Sequence, residues 1–300
     1  MEVAINLNVK LSIVIATIGR ESLVQSIESI AYSCKLAGET YEIIVVIDNP
    51  DVDSNLVIYL ESVLQVDRLI VNPVNLGAVR SFNIGLEKAK GELICVFSDD
   101  DLWLSNRSSD ILNEFSQSPS LDILMTKALV SDEHGNLIRP KKSYLSKPFL
   151  ETHYNWTFSI RNPTTFMMTS VIARKNVWSK LMFDETIVDH EDILWLHDAQ
   201  KLGFNVKLLN KVTVSTRNSI NRSVQRFEDE GDIWIKKLGE ISHDIQAKYL
   251  WFHVPKYFFQ TKDFVGFMKF MDRYKKVKKT SLQRSYLYIF TLFLFVISKF

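Results

Sequence analysis

The chain has 300 residues, 46% hydrophobic and 24% charged, which leaves room for a sizeable core and matches an ordinary globular protein rather than a disordered or fibrous one. Its 36 Lys and Arg against 35 Asp and Glu provide no bulk basic field, so nucleic-acid binding has no electrostatic support from the chain as a whole. Only Cys34 and Cys95 are present, both among apolar neighbours, a usage that fits reduced, buried thiols far better than a disulfide framework or a metal site.

The first ten residues carry no basic n-region, no long apolar stretch and no small-residue cleavage site. They do not read as a secretory signal, and the body of the chain is expected on the cytosolic side. On that expectation the N-x-S/T sequons starting at Asn106, Asn155 and Asn221 are chance matches.

Residues 11–17, Leu-Ser-Ile-Val-Ile-Ala-Thr, form a short β-branched apolar run. Ile18-Gly19-Arg20 breaks it before Leu23, Ile27 and Ile30 recur at helical spacing, which predicts strand, loop, helix. A second strand over 41–47 is predicted to end in Asp48-Asn49-Pro50, and a weaker third over 68–71 in Asn72-Pro73. Val79, Phe82, Leu86 and Ala89 mark one face of a helix that stops at Lys90-Gly91. A fourth strand over 92–97 then runs into the triplet Asp99-Asp100-Asp101. Strands alternating with helices imply the α/β class, with a mostly parallel sheet covered on both faces. In such sheets ligands bind beyond the carboxyl ends of the strands, where loops converge and helix N-termini point at the opening. Thr17, Asp48 and Asp99 each fall at one of those ends, which favours a nucleotide site over a chance arrangement.

The second half is less regular. Residues 121–125 suit another strand, 134–136 a turn, 140–162 a long aromatic-rich segment, and 164–172 a strand-like stretch. Asp189, His190, Glu191 and Asp192 precede a helical pattern of Ile193, Leu196, Ala199 and Leu202 that ends at Gly203. Acids at a helix start also suit the macrodipole. The chain closes on a basic run, Arg-Tyr-Lys-Lys-Val-Lys-Lys over 273–279, and an uncharged apolar run over 286–297. A transmembrane helix needs about 17–25 apolar residues. The shorter run here suits an interfacial or anchoring helix on an anionic cytoplasmic leaflet, with a core or oligomer-packing helix as the alternative.

Taken in order, SIVIATIGR, EIIVVIDN, NLGAVRSFNIGL, GELICVFSDDDLW and HEDILWLHDAQKLG resemble the family-2 glycosyltransferases of GT-A fold, over residues 10–217. The resemblance implies a GT-A (nucleotide-diphospho-sugar transferase) catalytic domain over 1–225, with a nucleotide-sugar-binding half at 10–105 and an acceptor half at 106–225. It leaves a helical C-terminal extension over 226–300 that carries the basic-apolar tail.

The resemblance also implies roles. Thr17 and Arg20 would hold the nucleotide base, and Asp48 would bind base or ribose. A carboxylate can accept from a base N–H or a sugar hydroxyl, and a planar guanidinium can stack or bridge, although Asp48-Asn49-Pro50 also suits a plain turn. Asn75-Leu76-Gly77 and Asn83-Ile84-Gly85 would shape the nucleotide pocket. Many relatives carry Arg immediately before the second Asn, where this chain has Phe82. Arg80 either takes over a donor role towards ribose or phosphate or is a solvated helix residue.

The triplet resembles the family's DxD motif, so Asp99, Asp100 and Asp101 are the implied ligands of a divalent cation, Mn²⁺ or Mg²⁺, bridging the donor's phosphates. Such a cation withdraws charge from the departing nucleoside diphosphate. The frame stays open between Ser98-Asp99-Asp100 and Asp99-Asp100-Asp101. Counting back from Trp103 favours Asp100 as the inner ligand, with Asp99 nearer the ribose, and a helix N-cap followed by first-turn acids is the bland alternative. Glu191-Asp192 resembles the pair that opens the acceptor-side helix. Asp192 is then the general base that takes the acceptor hydroxyl's proton during inverting attack, and Glu191 orients the acceptor. Asp189 and His190 are weaker alternatives. Arg217 is implied over the diphosphate.

The expected activity is transfer of a hexose from a UDP-linked or other nucleoside-diphosphate sugar to a saccharide hydroxyl. The expected acceptor is polyprenyl-diphosphate-linked, at the cytoplasmic leaflet of the inner membrane, as in surface-polysaccharide or O-antigen assembly. The protein is expected to be cytoplasmic and peripherally associated with that membrane, with no nucleic-acid partner. Two rivals remain: a catalytically silent glycan-binding or scaffold member, against which Asp100 and Asp192 count, and a nucleotidyltransferase, which would release pyrophosphate. A haloacid-dehalogenase-type phosphatase is excluded because its nucleophilic Asp follows the first strand. The glycine runs of kinases and P-loop proteins are missing from the sequence.

Overall fold

Three runs rich in β-branched residues, Leu11–Thr17, Tyr41–Ile47 and Leu93–Ser98, are buried along almost their whole length, the pattern of strands covered on both faces. The computed structural model describes residues 9–62, 64, 66–131, 137–138, 168–187 and 191–217, and further on 235–240, 243–248, 250–251, 254–255, 258, 263–277, 279, 283–284 and 287–291. The chain divides into one compact unit of Met1–Ser143 with Phe166–Ser219, and a second of Tyr144–Thr165 with Ile220–Phe300.

The first unit runs β1 (Leu11–Thr17), α1 (Ser22–Ala37), β2 (Tyr41–Ile47), α2 (Ser54–Ser62), β3 (Arg68–Val71), α3 (Ala78–Lys88), β4 (Leu93–Ser98), β5 (Leu102–Trp103) and α4 (Arg107–Gln117). It continues with β6 (Ile123–Ser131), β7 (Leu137–Ile138), β8 (Val171–Arg174), α5 (Lys175–Lys180), α6 (Glu191–Lys201) and β9 (Val206–Arg217). The strands lie in the order β3-β2-β1-β4-β8-β6-β9-β5, with β7 paired to β6. β1, β2, β3, β4, β6 and β9 share one direction, while β5, β7 and β8 oppose it. The sheet is therefore mixed with mostly parallel strands, as the alternation predicts.

The helix pattern has a local cause at each point. In α1 the buried residues Leu23, Ser26, Ile27, Ile30, Ser33 and Cys34 form one stripe, and the helix stops where Gly38 takes a left-handed φ of 69° and donates its N–H to the Lys35 carbonyl. Val79, Leu86 and Ala89 are buried as their spacing predicts. Gly85 is required by packing rather than by φ, since a Cβ there would lie 2.3 Å from Val14 Cγ1, so α3 can lie directly on β1 only with glycine at this position.

Some elements differ from the sequence reading. The fourth strand is shifted by one residue to Leu93–Ser98, and the strand read at 121–125 runs as Ile123–Ser131. In the described part of the stretch read as strand-like over 164–172, Met168–Ser170 is a 3-10 turn and a strand begins at Val171, running to Arg174. The carbonyls there serve side chains instead of a ladder: Thr169 O accepts from Arg107 Nη2 at 2.8 Å and Ser170 O from Thr126 Oγ1 at 3.2 Å. The short β5 and the long β9 are not apparent from the sequence pattern. The expectations for 134–136, 140–162, Asp189, His190 and 292–297 fall outside the described residues.

The helices of the second unit include α7 (His243–Lys248) and α8 (Phe264–Arg273). Asp263 caps α8 by accepting the Gly266 N–H at 2.8 Å. Phe267 and Phe270 face inward, with ring centroids 5.7 and 5.5 Å from Phe258, and Phe267 lies 5.3 Å from Phe290. Among the described residues no helix is long and apolar enough to cross a membrane.

Candidate active site

Parallel pairing brings three strand ends to one edge. Thr17 pairs with Ile47, and Ala16 with Ser98, so Thr17, Asp48 and Asp99 emerge side by side. Two hydrogen-bonded groups grow from them.

The first joins β1 to β4. Thr17 Oγ1 donates to Asp99 Oδ2 at 2.5 Å and Arg20 Nη1 to Asp99 Oδ1 at 2.8 Å. The Gly19 N–H donates to Thr17 Oγ1 at 2.9 Å, which fixes the loop between them. Arg20 also lies 3.8 Å from Asp100 Oδ2, so a single guanidinium relieves two of the three crowded carboxylates. Burial raises the pKa of Asp99; Thr17 and Arg20 oppose that shift, and Asp100 adds to it.

The three aspartates stand in different surroundings. The Asp99 side chain is 4% exposed and that of Asp100 26%, so Asp100 is the more open to an incoming ligand. Asp101 is buried, and its carbonyl accepts from Ser26 Oγ at 2.7 Å. The Trp103 N–H donates to Ser29 Oγ at 3.0 Å, so α1 fastens the turn that carries the triplet. Beneath it Arg107 is fully buried, donating to Thr126 Oγ1 at 3.1 Å, Thr213 Oγ1 at 2.7 Å and the Thr169 carbonyl, with its guanidinium 4.9 Å from the Trp103 ring centroid. Burial lowers its pKa to about 10, which leaves it charged at neutral pH.

The second group is built on Asp48, which is 4% exposed. Its Oδ1 accepts from Asn72 Nδ2 at 2.8 Å and the Leu76 N–H at 2.7 Å, and its Oδ2 from the Gly77 N–H at 2.8 Å. Asn75 Nδ2 donates to the Asp48 carbonyl at 2.9 Å. The carboxylate expected to meet base or ribose thus organises the 72–77 loop and the start of α3, where Gly77 has a φ of 87°. Its neighbour Asn49, only half-buried, donates Nδ2 to the Ile18 carbonyl at 3.2 Å and ties the two loops together.

The remaining candidates lie further along the chain. Arg80 Nε is 3.1 Å from Glu185 Oε2, and Asn83 is hydrogen-bonded to the same 183–185 segment. Glu191 and Asp192 open α6, and Asp192 Oδ1 accepts the Ile193 N–H at 2.7 Å. Arg217 ends β9. That strand pairs Ser215 with Leu102, so its last two residues run on past the aspartate turn. Asn72, Asn83 and Arg107 organise the site in ways that residue order does not show. Asn72 read as a turn and Asn83 as a pocket residue, while no pattern marked Arg107.

Among the described residues no group of three or more His, Cys, Asp and Glu is gathered to hold a metal ion. Asp99 spends both oxygens on Thr17 and Arg20, and Asp101 is buried. What remains fits a hard cation that takes one or two carboxylates and completes its shell with phosphate oxygens and water. Cys34 and Cys95 are free and buried, with burial pushing the thiols up to about 11 and about 12, so neither offers a thiolate nucleophile at neutral pH.

A parallel half-sheet with this acidic edge, continued by a mixed half-sheet, is the GT-A type of α/β fold. Residues 12–176 match the model of glycosyl transferase family 2, and the chain belongs to that family. It is 25% identical over 192 residues to an uncharacterized glycosyltransferase of Methanocaldococcus jannaschii, a match covering 60% of this chain and 61% of that relative's length. Among solved structures, S. aureus TarS 1–349 in complex with UDP superposes with a TM-score of 0.58 at 18% identity, covering 81% of this chain and 71% of that one. TarS 1–349 in complex with UDP-GlcNAc gives 0.61 at 18% identity over 85% and 80%. The likeness to TarS establishes the fold.

Proposed function

We propose that this protein is an inverting glycosyltransferase that moves a hexose from a nucleoside-diphosphate sugar to a saccharide hydroxyl. The observation that carries the reading is the Thr17–Arg20–Asp99–Asp100 group at the carboxyl edge of the sheet, in a chain of this family. UDP as the donor nucleotide is supported by the UDP and UDP-GlcNAc complexes of the structurally similar TarS.

In this mechanism the loops after β1 and β2 receive the nucleotide. Thr17, Arg20 and Asn75 line the receiving side, and Asp48 acts through the loop it holds. Asp99 approaches the ribose, Arg217 is assigned to the diphosphate, and Arg80, paired with Glu185, is the further candidate donor towards ribose or phosphate. Asp100, with Asp99 and Asp101 as its neighbours in the motif, would hold Mn²⁺ or Mg²⁺, which supplies charge withdrawal from the departing diphosphate. Asp192 takes the proton of the acceptor hydroxyl as that oxygen attacks the anomeric carbon, and Glu191 orients the acceptor. The basic-apolar end of the chain supports peripheral attachment to an anionic cytoplasmic leaflet and a polyprenyl-diphosphate-linked acceptor, as in O-antigen assembly.

The test is a panel of nucleotide sugars with Mn²⁺ and a saccharide acceptor. Nucleoside diphosphate is the expected product, and Asp100→Ala and Asp192→Asn each lower turnover by at least roughly 100-fold. Release of pyrophosphate from a nucleoside triphosphate, or activity untouched by both substitutions, would sink the reading.

A further inference from the structure

Asn83 lies on α3, the helix whose start is shaped by the Asp48 loop, and it is 7% exposed. Its amide is used in both directions by one residue on a distant part of the chain. Asn83 Oδ1 accepts the Phe183 N–H at 3.1 Å, while Asn83 Nδ2 donates to the Phe183 carbonyl at 3.0 Å and to Glu185 Oε1 at 3.1 Å. One turn earlier on the same helix Arg80 Nε holds the other oxygen of Glu185 at 3.1 Å. An amide can satisfy a buried backbone N–H and C=O together because it carries a donor and an acceptor at matching separation, so the contact works like one rung of a sheet.

Phe183 passes this contact on to α6. It is buried, with its ring 6.1 Å from Phe82 of α3, 5.5 Å from Trp178 and 6.3 Å from Trp195. Trp178 and Trp195 stack at 4.4 Å, and Trp195 Nε1 donates to the Leu181 carbonyl at 3.0 Å. Trp195 sits on α6 one turn after Glu191 and Asp192. A continuous run of packed and hydrogen-bonded groups therefore joins the helix that borders the nucleotide loops to the helix that begins with the acceptor-side acids.

We infer that Asn83 is a positioning residue that sets the α6 carboxylates relative to the donor pocket, acting through Phe183 and Trp195, with the Arg80–Glu185 pair as its outer half. The inference rests on the glycosyltransferase reading for the use of Asp192, but the mechanical link stands apart from it. Displacing a reacting group by about 1 Å can cost on the order of 100-fold in rate while leaving binding of the other substrate intact.

Asn83→Ala and the isosteric Asn83→Asp are the direct variants, the second because it keeps the acceptor and loses the donor. Glu185→Ala, at a half-exposed position, serves where a buried change compromises folding. Hydrogen exchange on the full chain should rise over 181–187 and 191–201 and stay unchanged in β1, β2 and β4. In steady-state assays kcat should fall at least roughly tenfold with the donor KM within about twofold. Glu185→Ala should give a smaller effect of the same kind. Unchanged exchange over 191–201 would overturn the coupling, and increased exchange with kcat unchanged would overturn the positioning role. A wild-type protein that transfers no sugar defeats the glycosyltransferase reading, while the exchange data still decide the link.

Discussion

Asp48 accepts hydrogen bonds from one side-chain amide and two backbone N–H groups while almost wholly buried. A charged acceptor so placed contributes more than a neutral one, and removing it leaves buried donors without partners, at a cost of about 3 kcal/mol. Asp48→Ala should therefore lower the melting temperature by roughly 6–12 °C in calorimetry; a fall below about 2 °C would mean that the 72–77 loop holds itself. From the sequence Asp48 reads equally as a ligand contact or as a turn residue, because both uses need an acceptor at a strand end. Its partners show the loop-holding use, and Leu76 and Gly77 contribute only backbone, which leaves no trace in residue type. Asp99, Asp100 and Asp101 raise the same difficulty: three identical side chains diverge because Thr17 and Arg20 meet one, solvent reaches another, and the third turns inward.

Helix α3 shows what an element adds. Its outline was legible because Val79, Leu86 and Ala89 keep helical spacing, yet its seat on the sheet depends on Gly85, whose missing Cβ admits Val14. Two effects of Gly85→Ala oppose each other. Helix propensity favours alanine by about 1 kcal/mol, whereas overpacking against β1 costs about 1–3 kcal/mol. The larger value should win, since Val14 belongs to a strand buried on both faces and cannot yield. The urea midpoint should fall with the slope unchanged, and a midpoint that rises would show that α3 has room to shift. The strands divide along similar lines. β1, β2 and β4 were readable because burial on both faces writes an apolar run into the sequence. β5 has two residues, too few to show a period, and β9 mixes Lys207, Asn210 and Lys211 with its apolar positions, so its place beside β6 and β5 rests on pairing alone.

For the molecule as a whole, the proposed attachment to a membrane would rest on the second unit. Arg273, Lys275 and Lys276 are exposed at and beyond the end of α8, with the exposed Asp272 pairing Lys275 at 2.8 Å, and Val265 and Met268 are exposed on that helix, a surface whose basic excess and apolar residues suit an anionic leaflet. Each basic residue near such a surface contributes about 1 kcal/mol. Changing Arg273, Lys275 and Lys276 together to Gln should weaken co-sedimentation with vesicles of anionic and neutral phospholipid by roughly 100-fold, while vesicles of neutral lipid bind neither form. Equal sedimentation of both forms would defeat attachment through these residues. The apolar run over 286–297 suggested that the tail itself makes the contact, but Leu287 is buried and Phe290 packs against Phe267, so part of that run serves the fold of its own unit.

Residue order was enough to reveal the alternating α/β plan, the polar ends of the first, second and fourth strands, and the acidic pair that opens α6. Each of these is local: burial on two faces, helical spacing and strand termini all leave a signature within a few neighbouring positions. Partnership across the chain was decided only in three dimensions. Arg20 reaches Asp99, Asp48 serves the 72–77 loop, Arg107 lies under the aspartate turn, and Asn83 grips Phe183. A hydrogen bond between residues a hundred positions apart depends on direction and distance after folding, which the types of two residues do not specify.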